Sequence, residues 1–106
     1  IDAGVRIVAG TDYPPGEPMD DTVVAVREME FLAEAGLGPE VALQAATVNA
    51  ARLLNLEGEI GEIAVGAAAD LLVLGANPLQ DLRALHAPRM VMHEGQVVRG
   101  AGRGTA

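Results

Sequence analysis

The 106-residue sequence predicts an α/β protein in which one buried strand is followed by helices and then by several short strands. The first observation is the apolar run Val5–Ala9, broken only by Arg6, which is typical of a parallel strand covered on both faces. The second is a helical spacing of apolar residues through the middle of the chain, and the third is a series of short strand-like runs after Ile60. The balance of acidic and basic residues also changes close to Ile60. Residues 1–62 hold twelve Asp and Glu against three Arg, whereas residues 63–106 hold three against four.

Composition excludes several classes of protein. Half of the residues are hydrophobic and the mean hydropathy is +0.27, which excludes a disordered chain. No run reaches the ~18 apolar residues of a membrane span. Cysteine is absent, and the net charge of −8 opposes binding to nucleic acid. We therefore expect no membrane or nucleic-acid partner and a cytoplasmic location.

The first predicted region comprises residues 1–58. Its strand ends at Gly10-Thr11-Asp12, and a loop with three prolines follows. A helix is predicted from about Asp21 to Ala35, because Asp20, Asp21 or Thr22 can cap its start and Gly36 can end it. Pro39 begins a second helical region up to Leu54, which Thr47 can divide into two helices. A lone parallel strand has no partner of its own kind, so we expect further chain upstream of Ile1.

The second predicted region, residues 59–99, is a small β-domain segment, and residues 100–106 form a Gly-rich disordered tail. Glu94-Gly95 predicts a two-residue hairpin turn, and Asp81–Leu85 predicts one helical turn. Four runs are strand-like: Ile60–Ile63, Leu71–Leu74, Arg89–His93 and Gln96–Arg99. Because both faces of the second run are apolar, we predict that it is the central strand.

Glu28 lies among the apolar positions of its predicted helix. A buried carboxylate without a partner costs several kcal/mol. We therefore predict that Glu28 is at least partly buried and paired with Arg6, Arg52 or a backbone N–H near Thr47.

Asp12 is the strongest candidate for a catalytic or metal-binding residue, because catalytic groups lie at the carboxyl ends of strands in barrels and open α/β folds. A carboxylate there can ligate a metal or accept a proton from water. The alternative is that Asp12 only caps a turn. Neither His86 nor His93 has a second ligand at a metal-binding spacing, so both are predicted to be surface residues. The sequence holds no serine nucleophile elbow, phosphate loop or dinucleotide fingerprint.

Four stretches of the chain are distinctive in their order and spacing: "VRIVAGTD" (5–12), "REMEFLAEAGLGPEVALQAATVNAARLL" (27–54), "IGEIAVGAAADLLVLGANPLQD" (60–81) and "VMHEGQVV" (91–98). Together they resemble the amidohydrolase superfamily of metal-dependent hydrolases, and its imidazolonepropionase-like and prolidase-like branches look most similar. The first stretch resembles the last strand of the family's barrel, and the second resembles the helices that follow it. The third is similar to the return into a small β-domain, and the fourth to its closing hairpin. The resemblance implies the last strand–helix unit of a TIM-like (β/α)₈ barrel, followed by the C-terminal half of a small β-sandwich domain, as a fragment of a larger fold.

The resemblance also implies a role for Asp12, which occupies the position of a family metal ligand that accepts a proton from water. The implied metal is divalent, Zn²⁺ first, with Fe²⁺ or Mn²⁺ as alternatives. The implied reaction is hydrolysis of a C–N bond in an amide, cyclic amide or amidine, and Tyr13 would lie where it can contact this small-molecule substrate. The other family ligands, which include a His-Xaa-His pair, lie on earlier strands, so the chain alone is expected to be inactive.

A different class of function remains open. The chain could be a non-catalytic interaction module that binds a protein partner through unpaired strand edges. On either reading, the unpaired edges predict a homo-oligomer or an association by segment swapping. A His-Xaa-His motif encoded upstream would favour the enzyme.

Overall fold

The computed structural model describes residues 3–13 and 23–100. Helix α1 spans Val24–Leu32 and is followed by a kinked turn at Ala33–Leu37, in which Gly36 leaves the helical conformation. Helix α2 spans Gly38–Ala46 and helix α3 spans Val48–Leu53. Three strands follow, β1 (Leu71–Val73), β2 (Met90–His93) and β3 (Gln96–Gly100), and a 3₁₀ helix (Leu82–His86) lies between the first two. Within the described residues, no helix is both long and apolar enough to cross a lipid bilayer.

The predicted breaks between the helices are confirmed. Gly36 has φ of 118°, a conformation that glycine adopts without a Cβ penalty, and the first helical run ends there. Pro39 lies in the first turn of α2, where its missing N–H leaves no hydrogen bond unmade. Thr47 separates α2 from α3 with φ of −122°, although its hydroxyl donates back to the Leu43 carbonyl rather than capping α3. The proposed caps at residues 20–22, and the three prolines before them, lie outside the described residues.

The predicted strand Val5–Ala9 forms no ladder with any part of the chain that the structure describes. Its backbone makes one hydrogen bond to α2, from the Ala9 N–H to the Ala45 carbonyl at 3.0 Å. Val5 is 66% exposed, and Ile7, Val8 and Ala9 are half-buried, so the predicted burial is also incomplete. The physical reason is that a parallel strand is defined by neighbours that are distant in sequence, and none pairs with it here.

The three strands form one antiparallel sheet in the order β1-β2-β3. The prediction that Leu71–Leu74 is the central strand is therefore wrong, because β2 lies between the other two. Leu72 and Val73 of β1 are 49% and 46% exposed, as expected for an edge strand covered on one side at most. In β3, Val97 pairs with Met92 and Arg99 with Val91, which leaves Val98 as the extra residue of a β-bulge.

The hairpin between β2 and β3 is confirmed at Glu94-Gly95. Both turn residues have positive φ, 49° and 81°, as a two-residue type I′ turn requires. The Asp70 carboxylate accepts a hydrogen bond from the Glu94 N–H at 2.8 Å, which attaches the turn to the segment before β1.

The predicted strand Ile60–Ile63 is absent, since Ile60 makes only an isolated bridge with Glu57. The predicted helical turn at Asp81–Leu85 is present as the 3₁₀ helix, and the Asp81 carboxylate caps it by accepting from the Arg83 N–H. This segment completes the core. Val26, Met29, Ala42, Leu82 and Leu85 form one buried cluster that joins α1, α2 and the 3₁₀ helix.

Candidate functional site

Asp12 lies in a tight turn at the end of the extended segment 5–9. It is exposed and has φ of 52°, a left-handed conformation that aspartate tolerates better than most residues. The hydrogen bond that closes this turn comes from Thr11, whose Oγ1 accepts from the Tyr13 N–H at 3.1 Å. The Asp12 carboxylate makes no hydrogen bond or ion pair with any residue that the structure describes. Thr11 rather than Asp12 therefore caps this turn, and neither Asp12 carboxylate oxygen has a partner in the described part of the chain.

Two contacts hold the segment that leads to Asp12 against the helices. The first is the Ala9–Ala45 backbone hydrogen bond to α2. The second is donated by the Asn49 side chain of α3 to the Ile7 carbonyl at 3.2 Å. Helices α2 and α3 thus hold the segment that leads to the Asp12 turn. No local pattern indicates the Asn49 contact, because Ile7 lies 42 residues away in sequence.

A cavity of about 190 Å³ opens beside the Asp12 turn. It lies between the extended segment and the helices and is lined by Ala9, Gly10, Thr11, Ala25, Glu28 and Ala46. Its walls are mainly apolar, and Glu28 supplies the one ionisable group among these residues. The cavity thus places a second carboxylate near the turn that carries the first.

The prediction for Glu28 is confirmed for its burial but not for its partner. The side chain is half-buried, as expected from its place on the apolar side of α1. The predicted partner is absent among the described residues, because Arg52 pairs with Glu57 and the backbone near Thr47 makes other hydrogen bonds. The open cavity explains the difference, since water can reach the Glu28 carboxylate and a protein partner is not required.

Tyr13 is 41% exposed and directly follows Asp12. The structure thus places it beside the candidate ligand. The loop prolines on which Tyr13 could instead stack lie outside the described part of the chain.

The two histidines differ. His93 is a surface residue, with its side chain 65% exposed and Nδ1 3.1 Å from the Asp70 carboxylate, as predicted. The same prediction is wrong for His86, whose side chain is only 18% exposed. Its imidazole lies between the Glu30 carboxylate at 3.1 Å and the Val23 N–H at 3.2 Å. No local pattern reveals this contact, because its partners lie 56 and 63 residues away.

No group of three His, Cys, Asp or Glu that could hold a metal ion occurs within residues 3–13 and 23–100. A carboxylate with no protein partner, on an exposed turn, suits a divalent cation as one ligand. A catalytic metal normally has about three protein ligands and one open position. Asp12 can therefore contribute to a metal centre but cannot form one by itself.

Comparison with known proteins identifies the family. The model of the family described as "Amidohydrolase family" matches residues 1–98. Ochratoxinase of Aspergillus niger is 35% identical over an alignment 109 residues long, gaps included, which covers 98% of this chain and 22% of that protein. Imidazolonepropionase of Rubrobacter xylanophilus is 40% identical over 76 residues, which cover 72% of this chain and 18% of that protein. The chain thus spans about a fifth of the length of these relatives.

Solved structures agree with the sequence relatives. A putative prolidase from Bifidobacterium longum superposes with a TM-score of 0.79 at 45% identity, covering 92% of this chain and 24% of that one. A Xaa-Pro dipeptidase with bound methionine in its active site superposes with a TM-score of 0.80 at 32% identity, covering 93% of this chain and 23% of that one. Each likeness covers nearly all of this chain and about a quarter of the larger fold. The resemblance inferred from the sequence is confirmed, and the chain belongs to the amidohydrolase family.

Proposed function

We propose that this chain supplies one ligand, Asp12, to the metal centre of a hydrolase that cleaves C–N bonds in amides, cyclic amides or amidines. The observation that carries the proposal is the Asp12 turn. It presents a carboxylate that has no partner among residues 3–13 and 23–100, at the end of an extended segment and within the residues that match the amidohydrolase family. The extended segment is proposed to be the last strand of a TIM-like barrel, completed by neighbours from other parts of a longer protein.

A divalent cation, Zn²⁺ or alternatively Fe²⁺ or Mn²⁺, would supply Lewis acidity and ease the deprotonation of water. Asp12 would be one of the residues that hold the cation, and its carboxylate would accept the proton of the attacking water. The oxygen of that water forms a bond to the carbonyl or amidine carbon, and the C–N bond breaks. The proton held by Asp12 then passes to the leaving nitrogen, so that the Asp12 carboxylate is ionised again at the end of the cycle.

The substrate is proposed to be a small molecule that carries such a bond. The relatives point to this class by their names, which include a Xaa-Pro dipeptidase, an imidazolonepropionase and an ochratoxinase. Tyr13 is proposed to contact the substrate, because it directly follows Asp12 and is partly exposed.

The decisive experiment uses the full-length protein encoded by the gene that contains this chain. Wild type, Asp12→Asn and the matched control Asp70→Asn are assayed on Xaa-Pro dipeptides, imidazolonepropionate and ochratoxin, and their bound metal is measured by mass spectrometry. Asp12→Asn should lose about 10²–10⁴-fold in kcat/KM and part of its metal, since it removes a ligand and a proton acceptor together. Asp70→Asn should match wild type. Equal activity and metal content in all three proteins would refute the proposal.

The 106-residue chain by itself should be inert on the same panel with added Zn²⁺ or Mn²⁺, because one carboxylate is too few ligands. Metal-dependent turnover by this chain that disappears in Asp12→Asn would show that it forms a complete centre. A full-length protein that binds no metal and lacks a His-Xaa-His motif would favour the interaction module instead.

A further inference from the structure

His86 makes two hydrogen bonds that connect distant parts of the fold. The Val23 N–H donates to Nδ1 at 3.2 Å, and Nε2 lies 3.1 Å from Oε1 of Glu30. The side chains of His86 and Glu30 are only 18% and 21% exposed. This bridge is not used by the chemistry proposed for Asp12.

The geometry determines which ring nitrogen carries the proton. A backbone N–H can only donate, so Nδ1 of His86 must present its lone pair to Val23. The ring proton is therefore on Nε2, where it is donated to the Glu30 carboxylate. A neutral imidazole with one acceptor and one donor matches both partners.

The bridge spans the first two turns of α1. Val23 is the N-cap residue, and α1 has no capping hydrogen bond from a side chain of its own N-cap. Glu30 lies seven residues further along, about 10 Å up the helix axis. The imidazole of His86, in the 3₁₀ helix, thus contacts α1 at its start and again near its end, at Glu30. Leu82 and Leu85 of the 3₁₀ helix add apolar contacts with the same helix.

Helix α1 also forms a wall of the cavity beside the Asp12 turn. Ala25 and Glu28 line that cavity together with Gly10 and Thr11. At 100° per residue, Ala25 and Glu28 lie on roughly the opposite side of α1 from Val26 and Glu30. The helix is therefore held from the His86 side and faces the Asp12 turn on the other side.

We propose that His86 is a positioning residue that fixes helix α1 and, through it, the cavity wall next to Asp12. The catalytic consequence rests on the proposed function, whereas the anchoring of α1 does not. His86 itself lies on the other side of α1 from that cavity and acts through the helix.

Two variants separate the two hydrogen bonds in the full-length protein. His86→Asn places an amide oxygen near the position of Nδ1, so it keeps an acceptor for Val23 and cannot be protonated. His86→Gln places an amide nitrogen near the position of Nε2, so it keeps a donor to Glu30 and loses the acceptor. Both are uncharged and polar, which makes each the control for the other.

The first readout is hydrogen exchange at the Val23 amide, measured by mass spectrometry with residue-level fragmentation and corrected for the intrinsic rate. His86→Gln should accelerate exchange about tenfold, the loss expected for one hydrogen bond, whereas His86→Asn should remain near wild type. Equal protection in both variants would overturn the proposal.

The second readout is turnover of whichever substrate of the panel the wild-type protein hydrolyses. His86→Gln should lower kcat about tenfold with KM unchanged, and His86→Asn should restore most of the loss. An unchanged kcat in His86→Gln would overturn the catalytic part. Because amide exchange needs neither metal nor substrate, it still tests the anchoring of α1 if Asp12→Asn proves fully active and the proposed function fails.

Discussion

At the scale of single residues, Asp81 combines two roles in one side chain. Its carboxylate caps the 3₁₀ helix through the Arg83 N–H at 3.0 Å and also binds the Arg83 guanidinium, with the shortest contact at 2.8 Å. These hydrogen bonds, the side-chain bonds first, lower the pKa of Asp81 from 3.8 to about 2. A carboxylate whose folded pKa is depressed stabilises the protein above its unfolded pKa, and this stability is lost as the pH falls through the folded value.

We expect Asp81→Asn to be less stable than wild type at neutral pH and equally stable once the pH falls through about 2. Asparagine keeps an oxygen for the Arg83 N–H, but its amide nitrogen cannot accept the hydrogen bonds that Oδ2 accepts from the Arg83 guanidinium. The variant therefore keeps the cap and removes the charge together with those bonds. Urea midpoints of both proteins over this pH range measure the effect. Asp81→Ala, which also removes the cap, should stay less stable even in acid. A constant difference between wild type and Asp81→Asn across the range would contradict the linkage to Arg83.

Gly61 lies where the segment after α3 returns against the break between α2 and α3. Its φ is +86°, and an added Cβ would lie 2.9 Å from the Thr47 carbonyl oxygen and 3.2 Å from the Ala51 Cβ. Gly61→Ala should therefore cost about 2–4 kcal/mol, from backbone strain together with the clash. Gly66 is a matched control, since its φ is +92° and nothing lies within 4 Å of its added Cβ. Gly66→Ala should cost only about 1–2 kcal/mol in thermal or urea unfolding. Equal losses would mean that the close approach at Thr47 is relieved by a backbone shift.

At the scale of elements, the features predicted most accurately are those that depend on the chemistry of one or two neighbouring residues. Gly36, Thr47 and Glu94-Gly95 mark a helix end, a helix break and a hairpin, and each depends on the residue's own φ or side chain. The errors concern partners that are distant in sequence. Nothing in Leu71–Leu74 shows that it pairs on one side only, and nothing near His86 shows that Glu30 and Val23 surround it.

The core between α1 and the 3₁₀ helix gives a prediction at this scale. Leu85 is 6% exposed and belongs to the buried cluster, whereas Leu72 of the edge strand β1 is 49% exposed. Leu85→Ala should therefore lose about 2–4 kcal/mol, and Leu72→Ala less than about 1 kcal/mol, in the same chemical denaturation experiment. If Leu72→Ala were the more damaging change, β1 would be covered on both faces, as the sequence alone predicted.

At the scale of the whole molecule, the candidate site is predictable only in part. The position of Asp12 after an apolar run indicated the residue, and the family match covers it. The cavity, the support from Asn49 and the half-buried Glu28 arise from packing of the helices against residues 5–11, which no periodicity reveals. Any remaining metal ligands cannot be read from the described residues, because none of them forms a three-residue ligand group.

The surface of the molecule gives the last prediction. Val97 and Val98 of β3 are 48% and 63% exposed, and β3 is an edge of the sheet within the described residues. An edge strand with exposed aliphatic side chains offers unpaired N–H and carbonyl groups to a second copy, so the 106-residue chain should self-associate with rising concentration in sedimentation velocity. Val98→Lys should shift it toward monomer, because a lysine at an edge opposes strand pairing and reduces the apolar patch. Gln96→Lys, with the same added charge on the same strand but no loss of apolar surface, should associate more than Val98→Lys. A chain that is monomeric at every concentration, or one that associates equally with and without Val98→Lys, would show that the β3 edge does not drive association.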